Sequence, residues 1–74
     1  MENIITFASM TNAMRARELL HKHRISTTMM RTPAKLRRGS CGYSLLVPRR
    51  FDEAVERIQA ARIPYRGIFA DGAQ

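Results

Sequence analysis

The stretch STTMMRTPAKLRRGSCGYSLLV, residues 26–47, sets two strand-like runs on either side of a basic loop that ends in glycines. Ser26 to Thr32 is rich in β-branched residues and methionine and is stopped by Pro33, which predicts a strand of roughly six residues with a poorly marked apolar face. Tyr43 to Val47 predicts a clearer strand, closed by Pro48. Between them, Pro33 to Gly42 has proline at one end and two glycines at the other and reads as a loop. Two strands in the middle of the chain decide the fold, because each is joined outward to a helix and then to one more strand.

Toward the amino end, NIITFA from Asn3 to Ala8 is a compact apolar and β-branched run that suits a buried strand. Ser9 and Thr11 offer capping hydroxyls. From Asn12 to about His23, Ala13, Ala16, Leu20 and His23 recur every three or four positions, flanked by Met14 and Leu19, while Arg15, Arg17, Glu18 and Lys22 fall away from that face. An amphipathic helix follows from this spacing. Toward the carboxyl end, Asp52 can begin a second helix with Phe51, Ala54, Val55, Ile58 and Ala61 on one side and Glu53, Glu56, Arg57 and Arg62 on the other. Pro64 stops it, Tyr65 to Ala70 predicts a last short strand, and DGAQ reads as a frayed tail.

Strand, helix, strand, strand, helix, strand in so short a chain predicts the ferredoxin-like βαββαβ arrangement, an α+β fold with two helices on one face of a four-stranded antiparallel sheet. The right-handed crossover makes the second strand run the same way as the first, so the Pro33 to Gly42 loop is expected at the end of the sheet where the first helix begins. Cys41 would then lie near that helix's amino end, where backbone N–H groups favour an anion.

The chain has 74 residues, enough for a single domain over 1–74 with a thin core. It is 45% hydrophobic and 26% charged, so it should fold rather than stay disordered. One cysteine excludes an internal disulfide and suits a reducing compartment, which points to a cytoplasmic protein. The opening residues lack a basic start followed by a sustained apolar run, and no stretch approaches the roughly 20 apolar residues of a membrane helix, so a soluble protein without a membrane partner is expected. Thirteen Lys and Arg against six Asp and Glu give a formal charge of +7, a potential that attracts phosphate, nucleic acid or small anions. Arg31, Lys35, Arg37 and Arg38 crowd ahead of Cys41, and Arg49 and Arg50 follow the next apolar run.

The segment T-P-A-K-L-R-R-G-S-C-G-Y-S-L-L-V, Thr32 to Val47, resembles the Pro-Arg-x-Leu/Ile-Ser-x-x-Cys-Gly pattern of the small bacterial domains of the selenium/sulfur carrier-like family. The opening strand, the Thr-Asn-Ala-Met helix start and the closing Ile-Pro-Tyr-Arg-Gly-Ile-Phe extend the resemblance over nearly the whole chain. Its specific part is Pro33, Leu36, Cys41 and Gly42. Ala34 stands where a basic residue is expected, with Lys35 following it, and Arg37 where serine is common. The resemblance implies a chalcogen held on Cys41 and therefore donor and acceptor proteins as partners.

The residues themselves suit that chemistry. A carrier cysteine must attack as a thiolate, hold sulfur or selenium as a terminal anion, and release it, so it needs exposure and positive surroundings. Gly39 and Gly42 leave room for an approaching donor, and their backbones can present N–H groups to an anion. Cations or a helix start can lower a cysteine pKa from about 8.5 into the range of roughly 3.5–7.5. The candidate site is thus Cys41 as the carrier thiol, with Gly42, Ser40, Arg37, Arg38, Lys35, Ser9 and Thr11 as its anion-binding surroundings. No resolving cysteine exists, so a dithiol reaction within one chain is excluded, and a carrier is favoured over a catalyst.

Other chemistries find less support. His21 and His23 lie two apart on a helix and point to different faces, so no metal site and no cofactor are predicted. Ser9, Ser40 and Ser44 lack a G-x-S-x-G setting, and no P-loop is present. Met10, Met14, Met29 and Met30 fit core gaps or an interface. The alternative is an RNA- or nucleic-acid-binding module on the same frame, for which Phe7 and Tyr43 are the only strand aromatics that could stack bases. A protein-assembly module is a third reading, because an uncovered sheet face and free edges invite a homodimer.

Overall fold

The computed structural model describes residues 3–32 and 42–69, and within them six elements follow one another: β1 (Ile4–Phe7), α1 (Met10–Lys22), β2 (Thr28–Arg31), β3 (Tyr43–Leu46), α2 (Phe51–Ala60) and β4 (Gly67–Phe69). The strands form one antiparallel sheet in the order β2-β3-β1-β4, a ferredoxin-like arrangement. Both helices cover the same face. Strand alternation explains which side chains they meet: Ile5, Phe7, Leu45 and Val47 join Ala13, Ala16 and Leu20 of α1 and Phe51, Ala54 and Ile58 of α2 in one core. Alanine at 13 and 16 lets α1 sit close to the sheet. The opposite face carries Ile4, Thr6 and Ser44, and these are buried too, so the centre of that face is not the uncovered platform expected of it.

Several boundaries differ from the expected ones for local reasons. β2 begins at Thr28 rather than Ser26, because the ladder to β3 starts only where Thr28 meets Leu46. β4 begins at Gly67 rather than Tyr65, whose exposed ring is tied to α2 by a hydrogen bond from Gln59 Nε2 to its hydroxyl at 3.0 Å. α1 begins at Met10 rather than Asn12, since Ser9 already caps it. Ala61 is exposed and leaves the core to Ile63. Met14 is exposed as well, while Met29 packs against the core.

Both helices end in the same way, which no glycine announces. Arg24 and Arg62 adopt left-handed backbone at φ 60° and 58°. At the end of α1, Arg24 N–H donates to His21 O at 3.0 Å and Ile25 N–H to Leu20 O at 2.9 Å; at the end of α2, Arg62 N–H donates to Gln59 O at 3.0 Å and Ile63 N–H to Ile58 O at 3.2 Å. These are Schellman closures in which the following isoleucine drops into the core beside the last apolar residue of the helix. The repeated Arg-Ile pair turns each helix back to the sheet.

A side-chain link joins the end of α1 to the start of α2. Arg50, also left-handed at φ 58°, donates through Nη1 to His23 O at 3.3 Å and Arg24 O at 3.2 Å, and through Nε to Glu53 Oε1 at 3.0 Å. The hydrogen bond from Arg50 chiefly holds the Glu53 carboxyl below its ordinary pKa; partial burial opposes this, and the positive charges of Arg50 and Arg57 assist. Among the described residues, no helix is long and apolar enough to cross a membrane.

Candidate functional site

The residues on either side of segment 33–41 meet at one end of the sheet. Arg31 pairs with Tyr43, and Tyr43 with Phe7, so β2, β3 and β1 come level there. Thr32 N–H donates to Gly42 O at 3.0 Å, one rung beyond the ladder proper. The buried hydroxyls of Thr32 and Ser44 share a hydrogen bond at 2.8 Å. Gly42 fits because it lacks a side chain: a Cβ would stand 3.1 Å from Phe7 O and 3.1 Å from Thr32 Oγ1. The carbonyl that Gly42 abuts belongs to the last residue of β1, immediately before the turn into α1.

That turn contributes Ser9 and Thr11. Ser9 has extended backbone and accepts the Asn12 N–H through its side-chain oxygen at 3.1 Å, while its carbonyl accepts from Ala13 N–H at 3.2 Å. The Ser9 oxygen therefore serves the helix first, and its O–H remains able to donate outward. Thr11 is exposed in the first turn of α1, and that turn holds no acidic residue. The amino end of α1 keeps its positive dipole without an internal carboxylate to neutralise it.

Of the residues singled out by sequence, Gly42, Ser9 and Thr11 thus share one end of the fold. Lys35, Arg37, Arg38, Gly39, Ser40 and Cys41 lie outside the described residues, as does the closing DGAQ. Cys41 is covalently next to Gly42. The fold brings two further basic residues to this end: Arg31, the last residue of β2, and Arg66, whose N–H donates to Thr6 O at 2.7 Å ahead of β4. Arg66 is distant from the loop in sequence, and only the pairing of β4 with β1 delivers it. The Thr32–Ser44 bond was equally hidden, since two hydroxyls twelve positions apart signal nothing until strand register sets them side by side.

The aromatic side chains proposed for base stacking are turned the wrong way. Phe7 is 0% exposed within the core, and Tyr43 packs against that core from the same face, so neither offers a ring to a nucleobase on the sheet face away from the helices. Phe69 is the aromatic on the face away from the helices, lying against the space beside Gly67 and exposed at the end of edge strand β4. Among the described residues, no group of three or more His, Cys, Asp or Glu could hold a metal ion.

The family described as "Putative Se/S carrier protein-like" matches residues 2–70, and the chain belongs to it. No curated protein and no solved structure matches.

Proposed function

We propose that this member of the Se/S carrier-like family is a non-enzymatic relay that holds sulfur or selenium on Cys41 and passes it from a donor protein to an acceptor. The supporting observation is the clasp at Thr32 and Gly42, which joins the residues flanking the cysteine segment at the end of the sheet where α1 begins, a helix start capped by Ser9 and without an acidic residue in its first turn. Lys35, Arg37, Arg38 and Ser40, within that segment, are assigned to screening the cargo's charge, with Ser9, Thr11 and the Gly42 backbone as hydrogen-bond donors. The single cysteine fits a reducing, cytoplasmic setting.

The loading step balances without any external oxidant. The Cys41 thiolate attacks the terminal sulfur of a donor persulfide; a new S–S bond forms at Cys41 Sγ while the donor's own S–S bond breaks. The electron pair leaves with the donor thiolate, and the transferred sulfur keeps its charge or takes a proton from solvent. Selenium follows the same course. Discharge is the reverse reaction toward an acceptor thiolate.

The test is intact mass spectrometry after incubation with a cysteine desulfurase and cysteine. One added sulfur on the wild type, absent in Cys41→Ser, is the expected result. No adduct from this donor or from a small-molecule persulfide would remove the carrier reading.

A further inference from the structure

Exposed apolar side chains scattered singly are ordinary, but Met10 and Met14 are not scattered. They are 47% and 43% exposed and lie one turn apart on α1, on the same face as Arg17 and His21. Arg15, Arg17 and Lys22 are exposed on the helix and have no ion-pair partner among the described residues, whereas Arg57 of α2 and Arg50 just before it are drawn to Glu53. Glu18 is the only carboxylate on α1. The strip begins at the first residue of α1, just past the Phe7 carbonyl that Gly42 abuts. Methionine is flexible and polarizable, and it serves surfaces that must accept a partner without a rigid fit.

We propose that the exposed face of α1 carrying Met10, Met14 and Arg17 is the docking surface for the protein that delivers sulfur or selenium to Cys41, and that this partner presents an acidic surface around an apolar knob. The inference rests on the carrier reading above. Charge complementarity selects the partner's sign: the strip itself holds Arg17 and no carboxylate, and the exposed side of α1 beyond it carries Arg15 and Lys22 against Glu18, so an acidic surface is drawn and its encounter rate raised. The two methionines then supply a small apolar centre at which the encounter is retained. Because the strip starts at the end of the sheet that holds Gly42, a partner seated there has the cysteine segment's attachment point beside it.

The experiment compares two donors on one set of proteins. Loading of Cys41 is followed by mass spectrometry with a cysteine desulfurase plus cysteine and, separately, with a small-molecule persulfide, for wild type, Arg17→Glu and Met10→Ser/Met14→Ser. Circular dichroism and thermal unfolding establish that the variants remain folded, as expected for exposed sites. Reversing a steering charge should slow loading by the desulfurase about tenfold, and loss of the methionines by a similar factor, while loading by the small persulfide stays within about twofold of wild type. Wild-type loading by the desulfurase should also fall as salt rises.

Equal desulfurase rates for wild type and both variants would overturn the docking proposal while leaving the carrier intact. So would a desulfurase rate no faster than that of the small donor. A wild-type dimer in sedimentation that dissociates in the methionine variant would assign the face to a second copy instead, and a gel shift with RNA that is lost in Arg17→Glu would assign it to nucleic acid; either result overturns the proposal. If neither donor loads the wild type, the carrier reading itself fails.

Discussion

Thr32 Oγ1, one residue past β2, and Ser44 Oγ on β3 lie 2.8 Å apart, each residue buried, and Gly42 sits between them in sequence with its missing side chain directed at the same threonine oxygen. A buried hydroxyl deprived of its partner costs about 1–3 kcal/mol, whereas removing both hydroxyls and keeping the shape is close to neutral. Ser44→Ala should therefore destabilise the fold by about 1–3 kcal/mol in urea unfolding. Thr32→Val in the Ser44→Ala background should recover most of that loss. A double variant less stable than the sum of the singles would show that the hydroxyl pair does not act as a unit.

Gly42 and Gly67 offer a matched comparison. A Cβ at Gly42 meets a backbone oxygen, Phe7 O, at 3.1 Å, and a strand carbonyl in a formed ladder cannot withdraw; a Cβ at Gly67 meets the ring of Phe69 at 3.1 Å, which can swing into solvent. Gly42→Ala should cost on the order of 1–3 kcal/mol, and Gly67→Ala clearly less. Paired denaturation curves decide it, and equal costs would mean that the contact with Phe7 is not what demands glycine. Gly42→Ala should also slow loading of Cys41, because it displaces the rung next to the thiol.

Three arginines, Arg24, Arg50 and Arg62, have left-handed backbone, where glycine has no steric cost. Arg62 is exposed, closes α2 at φ 58° and uses only its backbone to do so. Arg62→Gly should thus stabilise the protein by roughly 0.5–1 kcal/mol, and Arg62→Val should destabilise it, since a β-branched residue is least suited to left-handed backbone. Thermal unfolding of the two variants gives opposite signs if the closure is as described.

Glu53 links folding to pH. Its carboxyl is held below the ordinary value in the folded protein, chiefly by the hydrogen bond from Arg50, so its contribution is present above the unfolded pKa and is lost as pH falls through the folded one. Denaturant unfolding from pH 7 down to about pH 3 should show the gap between wild type and Glu53→Gln closing on the acid side. Added salt should narrow that gap at neutral pH, because the pair is largely exposed. A gap that is constant across the range would mean that Glu53 acts through packing alone.

The thiol can be probed apart from any partner. If α1 and the basic residues 35, 37 and 38 act on Cys41, iodoacetamide should modify it faster at neutral pH in the folded protein than in urea. Arg37→Glu with Arg38→Glu should slow the folded reaction by less than about tenfold, and high salt should blunt the difference. A folded thiol slower than the unfolded one at every pH would mark a buried structural cysteine.

What the chain order alone determined is the architecture. Apolar runs of period two and helical faces of period 3.6 are local properties, and strand, helix, strand, strand, helix, strand leaves few ways to cover a sheet, so the β2-β3-β1-β4 order was within reach of sequence reasoning. The end at which Thr32 and Gly42 meet followed from the same crossover rule. Element ends were less legible, because a ladder stops where its partner stops: Ser26 and Tyr65 have strand-like neighbours but no opposing rung. The helix stops at Arg24 and Arg62 were hidden for a related reason, since the isoleucine that follows each arginine makes the left-handed turn worthwhile only once a core exists to receive it.

Side-chain partnership at the site belonged to the tertiary structure altogether. Phe7 had the composition of a base-stacking aromatic, yet strand parity turned it into the core; Thr32, Ser44 and Arg66 carried no signal, yet register brought the hydroxyls together and placed the arginine's backbone against Thr6. Periodicity says that a face exists, but which face meets the helices and which residues oppose one another across strands are fixed by contacts between segments far apart in the chain. Those contacts form only when burial of the shared core outweighs the entropy of closing the loops between them.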